Sequence, residues 1–221
     1  MSPKYELIYF DIRGYAEMMR ILFKDQGIEY IDTTFPVRVE GSEIIAPEWK
    51  KAKNEFAFGQ IPCLKVGDQK IVQTGAIMRY LGRAHDLYGD SDFDRAFVDM
   101  FYEGVRDMRK SYVDFVYKHF DDQEKRKEFV TVTLPKALGQ LEELLKAHGN
   151  GEHFVLGEKI TFADYALFEE LDVLLILEAD ILDSFSVLKA FHKRMAERPN
   201  LKEYVQKRNA AGTWINAHGK Q

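Results

Sequence analysis

The chain has 221 residues, 46% of them apolar and 30% charged, with a net charge of −5. That is enough for one large or two small packed domains, and the acidic balance argues against a nucleic-acid surface. One cysteine, Cys63, excludes an internal disulfide and suits a reducing compartment. No apolar run approaches the ~20 residues of a membrane span, and the start Met1-Ser2-Pro3-Lys4 has no signal-peptide pattern. A cytoplasmic protein is expected, with neither nucleic acid nor membrane as a partner.

Tyr5 to Phe10 is aromatic and β-branched enough for a strand. Arg13-Gly14 breaks that pattern. Met18, Met19, Leu22 and Phe23 then recur at helical spacing, with Gly27 where a C-terminal cap belongs. Residues 28–34 predict a second strand, and a polar loop with Gly41, Pro47 and Trp49 follows. Residues 61–66 and 70–72 flank Gly67-Asp68-Gln69 and predict a hairpin. Ala76, Ile77, Tyr80 and Leu81 predict a short helix. The series βαβ then ββα is that of a small α/β domain.

Residues 83–90 form the predicted linker. From Ser91 strand signals nearly vanish. Phe97, Phe101, Val105, Met108, Tyr112 and Phe115 keep one helical stripe, and Val132, Leu138, Leu141, Leu144 and Leu145 a second. A further helix opens at Thr161 as N-cap, with Asp164 at N3 of a capping box and Ile160 and Tyr165 at staple spacing. The fold class predicted is therefore α/β plus all-α.

Several chemistries lack their motifs. The six histidines show no zinc-helix pattern, and no phosphate loop, dinucleotide fingerprint or Gly-x-Ser-x-Gly elbow is present. The pairs Asp121-Asp122 and Glu142-Glu143 read as solvated helix faces. The stretch Phe58-Gly59-Gln60-Ile61-Pro62 is more informative. A proline opening an apolar strand cannot donate a ladder hydrogen bond. Where it is cis, it turns the chain and leaves the preceding residue's backbone groups to pair with a small peptide. Gln73-Thr74 adds amide, hydroxyl and N–H groups at a helix N-terminus, which suits a carboxylate. The pattern is a site for a short acidic peptide, near a strand carrying Tyr9.

In order, Tyr5–Tyr9 with Phe10 and Arg13-Gly14, Phe58–Pro62, Gln73-Thr74-Gly75-Ala76-Ile77, Gly104-Val105-Arg106-Asp107 and Ile160–Tyr165 resemble the cytosolic glutathione S-transferases nearly end to end. The linker Leu87-Tyr88-Gly89 and tail Gly219-Lys220-Gln221 resemble the pi class, in an invertebrate, nematode-like form. Trp49 followed by Lys53 has a sigma- or mu-like spacing. The resemblance implies a thioredoxin-like N-terminal domain (1–83) that binds glutathione, then an all-helical C-terminal domain (91–221) that contributes the electrophile site. It implies attack of the glutathione thiolate on hydrophobic electrophiles in detoxification, by a homodimer, with glutathione as co-substrate and no metal or other cofactor. A glutathione-dependent isomerase or peroxidase acting on a prostaglandin-like endoperoxide, and a non-catalytic carrier of hydrophobic ligands, are the alternatives.

By the same resemblance Tyr9 is the catalytic hydroxyl. Gln60, Ile61 and Pro62 line the cysteinyl part of glutathione, and Gln73 and Thr74 hold its γ-glutamyl end. Trp49 and Lys53 face its glycyl carboxylate, and Asp107 reaches the γ-glutamyl amine across the dimer. Phe10, Ile12, Tyr15 and Tyr117 line the electrophile pocket between the domains, which Gly212-Thr213-Trp214 closes, and Phe58 is an aromatic key into the partner. Tyr15 stands where many members carry a basic residue. Read from the residues alone, plainer roles stay open: Tyr9 as a core strand aromatic with Tyr5 as its rival on the same face, Lys53 within a solvated lysine run, Gln60 as a turn residue. Likewise Asp107 suits a pair with Arg106 or Arg109, Tyr117 helix packing with Tyr112 and Phe115, Phe58 a buried loop anchor, and Cys63 a small buried hydrophobe.

Overall fold

Strand β1 (Tyr5–Phe10) lies inside a four-stranded sheet, between β2 (Tyr30–Phe35) and β5 (Cys63–Val66), with β6 (Gln69–Val72) beyond β5. A computed structural model describes residues 5–220 of the chain. After β1 comes helix α1 (Glu17–Asp25), which ends in a Schellman motif: Ile28 N–H donates to Phe23 O at 2.9 Å and Gly27 N–H to Lys24 O at 3.3 Å. Gly27 takes the left-handed backbone the motif needs, φ +64°. Strand β2 (Tyr30–Phe35) runs parallel to β1, in register from Tyr5 with Tyr30 to Phe10 with Phe35. It starts two residues later than predicted because Ile28 is used by the helix cap.

The segment expected to be a polar loop is more ordered than its sequence suggests. It forms a hairpin of β3 (Arg38–Glu40) and β4 (Glu43–Ile45) turning through Gly41, then a helix α2 (Pro47–Ala52) with Pro47 in its first turn. Three-residue strands are too short to show an alternation. Strand β5 (Cys63–Val66) pairs antiparallel with β1, and β6 (Gln69–Val72) with β5. The ladder begins at Cys63 rather than at Ile61, after the proline that has no N–H to give. The Ile61–Pro62 peptide bond is cis. Helix α3 (Thr74–Ala84) follows.

By packing, the chain divides into two units: residues through Leu81 together with Pro199–Lys220, and Gly82–Arg198. In the second unit, α4 (Asp92–Lys118) opens with a capping box of Ser91 and Asp94. It is followed by α5 (Gln123–Glu128), a π-turn (Phe129–Thr133) and α6 (Leu134–Lys146). Then come α7 (Phe162–Leu177) and α8 (Ser186–Ala196). Helix α7 is buried almost all round, as its apolar sequence dictates. Its start is tied by Asp164, which accepts from Thr161 N–H at 2.7 Å, the Thr161 hydroxyl at 2.8 Å and Val155 N–H at 2.8 Å. The predicted linker is packed within this unit: Leu87 and Tyr88 are buried, and Phe162 N–H donates to Leu87 O at 2.8 Å.

The last helix, α9 (Pro199–Ala210), groups by packing with the first unit and not with the helices before it. The reason is a buried cluster. Glu17 on α1 accepts from the Tyr204 hydroxyl at 2.8 Å and Arg208 Nη1 at 3.1 Å, and from Arg20 Nη1 at 3.3 Å. Asn200 Nδ2 also donates to Asp25 O at 2.8 Å. Periodicity along α9 carries no sign of this, since its partners are far away in sequence.

Candidate functional site

Alternation along β1 puts Tyr5, Leu7 and Tyr9 on one face and Ile8 and Phe10 on the other. Tyr5 and Tyr9 are separated by what surrounds them. Tyr5 is 1% exposed, its ring 5.6 Å from that of Phe23, and burial followed by its contact with Tyr80 pushes its hydroxyl pKa up. It belongs to the core. The Tyr9 hydroxyl accepts the backbone N–H of Tyr15 at 3.2 Å.

The turn that supplies this N–H closes on the Tyr9 ring. Gly14 has φ +46°, and a Cβ there would lie 2.5 Å from the Tyr9 hydroxyl oxygen and ring. Only glycine fits both the backbone and the space. Arg13 N–H donates to Trp214 O at 2.8 Å and Gly14 N–H to Ile215 O at 3.0 Å. Arg13 is 2% exposed. Burial raises the Glu17 carboxyl pKa, but Arg208, Arg20 and Arg13 outweigh it and hold it below the usual carboxylate range.

On the opposite face an aromatic group joins Tyr9 to α2. The Phe10 ring lies 5.4 Å from Tyr9 and 5.8 Å, edge-on, from Trp49. Trp49 is 5.5 Å from both Phe35 and Phe56. Beneath lies a small core of Ile8, Phe56, Cys63 and Val72, with Trp49 and Ile61 packed against it. Cys63 is thus the buried small hydrophobe expected; burial pushes its thiol pKa up, which suppresses the reactive thiolate. Lys53 is exposed just past α2.

Gln60 and Gln73 meet. Gln73 Nε2 donates to Gln60 Oε1 at 2.7 Å, and both residues are exposed. Gln73 has φ +75°, a strained backbone for a residue with a side chain, and its carbonyl accepts Ile77 N–H at 3.0 Å as α3 begins. Thr74 is 7% exposed. Ile61 and buried Pro62 stand just before the β5 ladder. The first unit therefore links Tyr9, Phe10, Trp49 and Ile61 through ring and core contacts, and pairs Gln60 with Gln73.

The other expected residues lie differently. Ile12 is 4% exposed, with its carbonyl accepting from Arg20 Nη1 at 2.8 Å, and Tyr15 is half-buried. Asp107 and Tyr117 are both exposed on α4 of the second unit. Phe58 is 79% exposed with φ +58°, so it is not a buried loop anchor. Sequence reasoning missed Gly14, the Tyr15 N–H and the rings of Phe35 and Phe56. The break at Arg13-Gly14 was the signal for the first two. No group of three or more His, Cys, Asp or Glu among the described residues is placed to hold a metal ion. No helix among them is long and apolar enough to cross a membrane.

Two family models match the chain: the N-terminal domain of glutathione S-transferase over residues 5–83 and its C-terminal domain over residues 106–208. A Caenorhabditis elegans protein, glutathione S-transferase P 10, is 50% identical over 212 residues, covering 96% of this chain and 95% of its own. A Dirofilaria immitis glutathione S-transferase is 45% identical over 217 residues, covering 98% and 99%. The solved structure of the Onchocerca volvulus pi-class glutathione S-transferase superposes with a TM-score of 0.90 at 45% identity, covering 98% of this chain and 99% of that one.

Proposed function

The chain belongs to the glutathione S-transferase family, and we propose that Tyr9 is the residue with which it activates the thiol of glutathione. It is an enzyme of glutathione conjugation with a thioredoxin-like domain. The chemical problem is ionisation: a thiol with a pKa near ~8.5 is only a few per cent thiolate at pH 7. Lowering that pKa by ~2 units needs about 2.7 kcal/mol of preference for the anion. A hydrogen bond to a charged acceptor contributes ~1.5–3 kcal/mol, so one well-placed hydroxyl supplies much of it.

The observation that carries this reading is the Tyr15 N–H held on the Tyr9 oxygen at 3.2 Å. A hydroxyl that accepts such a bond is polarised to donate its own proton more strongly. The thiol proton passes to solvent, Tyr9 donates its own hydrogen bond to the resulting thiolate, and the thiolate attacks the electrophilic carbon while the leaving group departs from it. Gln60, Ile61 and Pro62 line the cysteinyl part, with Ile61 pairing through its backbone. Gln73 and Thr74 take the γ-glutamyl end at the N-terminus of α3, where N–H groups favour a carboxylate. Trp49 and Lys53 face the glycyl carboxylate.

Phe10, Ile12 and Tyr15 from the first unit and Tyr117 from the second are the residues proposed to take the hydrophobic electrophile. We assign residues 1–83 to glutathione binding and the helices from 91 onward to the electrophile. A homodimer is proposed, with Phe58 as the key and Asp107 reaching the partner's glutathione, in a cytoplasmic, detoxifying enzyme. The exposed Phe58 ring supports that interface.

The experiment is an ultraviolet titration of thiolate absorbance with bound glutathione, in wild type and Tyr9→Phe. The expected result is a thiolate forming near neutral pH in wild type and 1–2 pH units higher in the variant, equivalent to about 8- to 75-fold less thiolate near pH 6.5. Matching titrations in the two proteins would remove Tyr9 from the mechanism.

A further inference from the structure

We propose that the C-terminal strap Trp214–Ile215 is a positioning element for the Tyr9 hydroxyl. The proposal rests on the reading of Tyr9 as the thiol-activating residue. Three consecutive backbone N–H groups carry it. Those of Arg13 and Gly14 are held by the carbonyls of Trp214 at 2.8 Å and Ile215 at 3.0 Å, and the third, of Tyr15, is held on the Tyr9 hydroxyl at 3.2 Å. The tail fixes two peptide groups of the turn, and the next one addresses the catalytic oxygen.

The turn has little room to move. Gly14 takes φ +46° and approaches Tyr9 so closely that a Cβ would fall 2.5 Å from its hydroxyl oxygen. A displaced turn would therefore push the ring as well as withdraw the N–H.

The strap is built to stay in place. Ile215 is 1% and Asn216 2% exposed. Asn216 Nδ2 donates to Lys220 O at 2.9 Å and Gly219 N–H to Asn216 O at 3.0 Å, so the tail closes on itself. A Cβ at Gly219 would lie 3.2 Å from the Trp214 ring, a close seat for that ring. Upstream, α9 is pinned to α1 through Tyr204, Arg208 and buried Glu17. The strap accepts these hydrogen bonds through its backbone carbonyls, so it acts through its position rather than through side-chain chemistry. Ile215 is the side chain that anchors it.

The test uses the full chain, a form ending at Gly212, and Ile215→Ala, each with Tyr9 and with Tyr9→Phe. Readouts are thiolate absorbance with glutathione, the pH profile of kcat/KM toward a nitro-activated aryl chloride, and KM for glutathione. With Tyr9 present, truncation is expected to move the profile to higher pH and lower kcat/KM about tenfold near pH 6.5, with KM for glutathione within about threefold. Ile215→Ala is expected to do the same to a smaller degree, and it serves alone if the truncated chain fails to fold. In the Tyr9→Phe background neither change should move the pH profile further. An equal loss in both backgrounds, or a loss without an alkaline shift, would overturn the strap as a positioning element. A Tyr9→Phe protein with the wild-type profile would instead overturn the Tyr9 assignment beneath it.

Discussion

Replacing Glu17 by glutamine tests whether the buried cluster holds α9 in place. The side chains of Glu17, Arg208 and Arg20 are 2%, 4% and 8% exposed. Glutamine keeps the shape but removes the charge, and presents an amide nitrogen to one of the donors. Removing one partner of a buried ion pair costs about 3–5 kcal/mol. Arg20 keeps Asp32 at 2.9 Å and the Ile12 carbonyl at 2.8 Å, so the loss falls chiefly on Arg208. That argues for the low end, about 3 kcal/mol, or roughly 6–12 °C in melting temperature for a chain of this size. The sign with pH follows from the depressed Glu17 pKa. Its contribution is complete above the unfolded value of about 4.3 and is lost as pH falls through the folded one. Thermal melts from pH 7.5 downward should show a constant gap between wild type and Glu17→Gln that closes only in acid. A gap under about 1 °C at pH 7.5, or one that survives undiminished at pH 3, would refute the cluster as a charge-dependent clasp.

Gln73→Gly should raise KM for glutathione at least about tenfold, because hydrogen bonds to a charged group are lost. Melting should hardly change, since relief of the strained φ offsets the added chain entropy; an unchanged KM would remove Gln73 from the γ-glutamyl site. Phe58→Ser should weaken the proposed dimer about 30-fold or more, as loss of an interface aromatic does. Sedimentation showing wild type already monomeric at micromolar concentration would dispose of both the dimer and the cross-subunit role of Asp107. Asp164→Ala strips the acceptor from two N–H groups and a hydroxyl, all buried. It should cost about 2–4 kcal/mol in denaturant unfolding, and a midpoint shift worth less than 1 kcal/mol would show that water replaces the carboxylate.

The legible parts of the fold were those written in local pattern. Gly27 after Phe23 announced a helix cap, Thr161 and Asp164 a capping box, and Pro62 the point where a strand can begin. Each is chemistry acting over a few residues. The hairpin around Gly41 stayed hidden because strands of three residues leave no period to detect. The adherence of α9 to α1 stayed hidden for another reason: Glu17 and Arg208 meet across the whole length of the chain, and separation in sequence says nothing about contact. The site divides in the same way. Gln60 and Gln73 were named from motifs and are found hydrogen-bonded. The Tyr15 amide was not, because a backbone group has no letter in the sequence; its side chain drew notice instead. Phe35 and Phe56, which close the ring of aromatics about Trp49, read as ordinary apolar residues until the chain folds.

The discontinuity of the first unit has a consequence for how the protein is made. Its sheet leaves the ribosome early, yet α9 and the strap follow about 120 residues after Leu81, roughly ten seconds later at ~5–20 residues per second. During that interval Glu17 has no Arg208 or Tyr204 to meet, and the turn at Arg13-Gly14 has no carbonyls to receive it. The nascent thioredoxin-like portion therefore lacks these partners until α9 and the strap have been made. A chain ending before Trp214 would hold every residue assigned to glutathione binding but lack the two carbonyls that receive the Arg13-Gly14 turn.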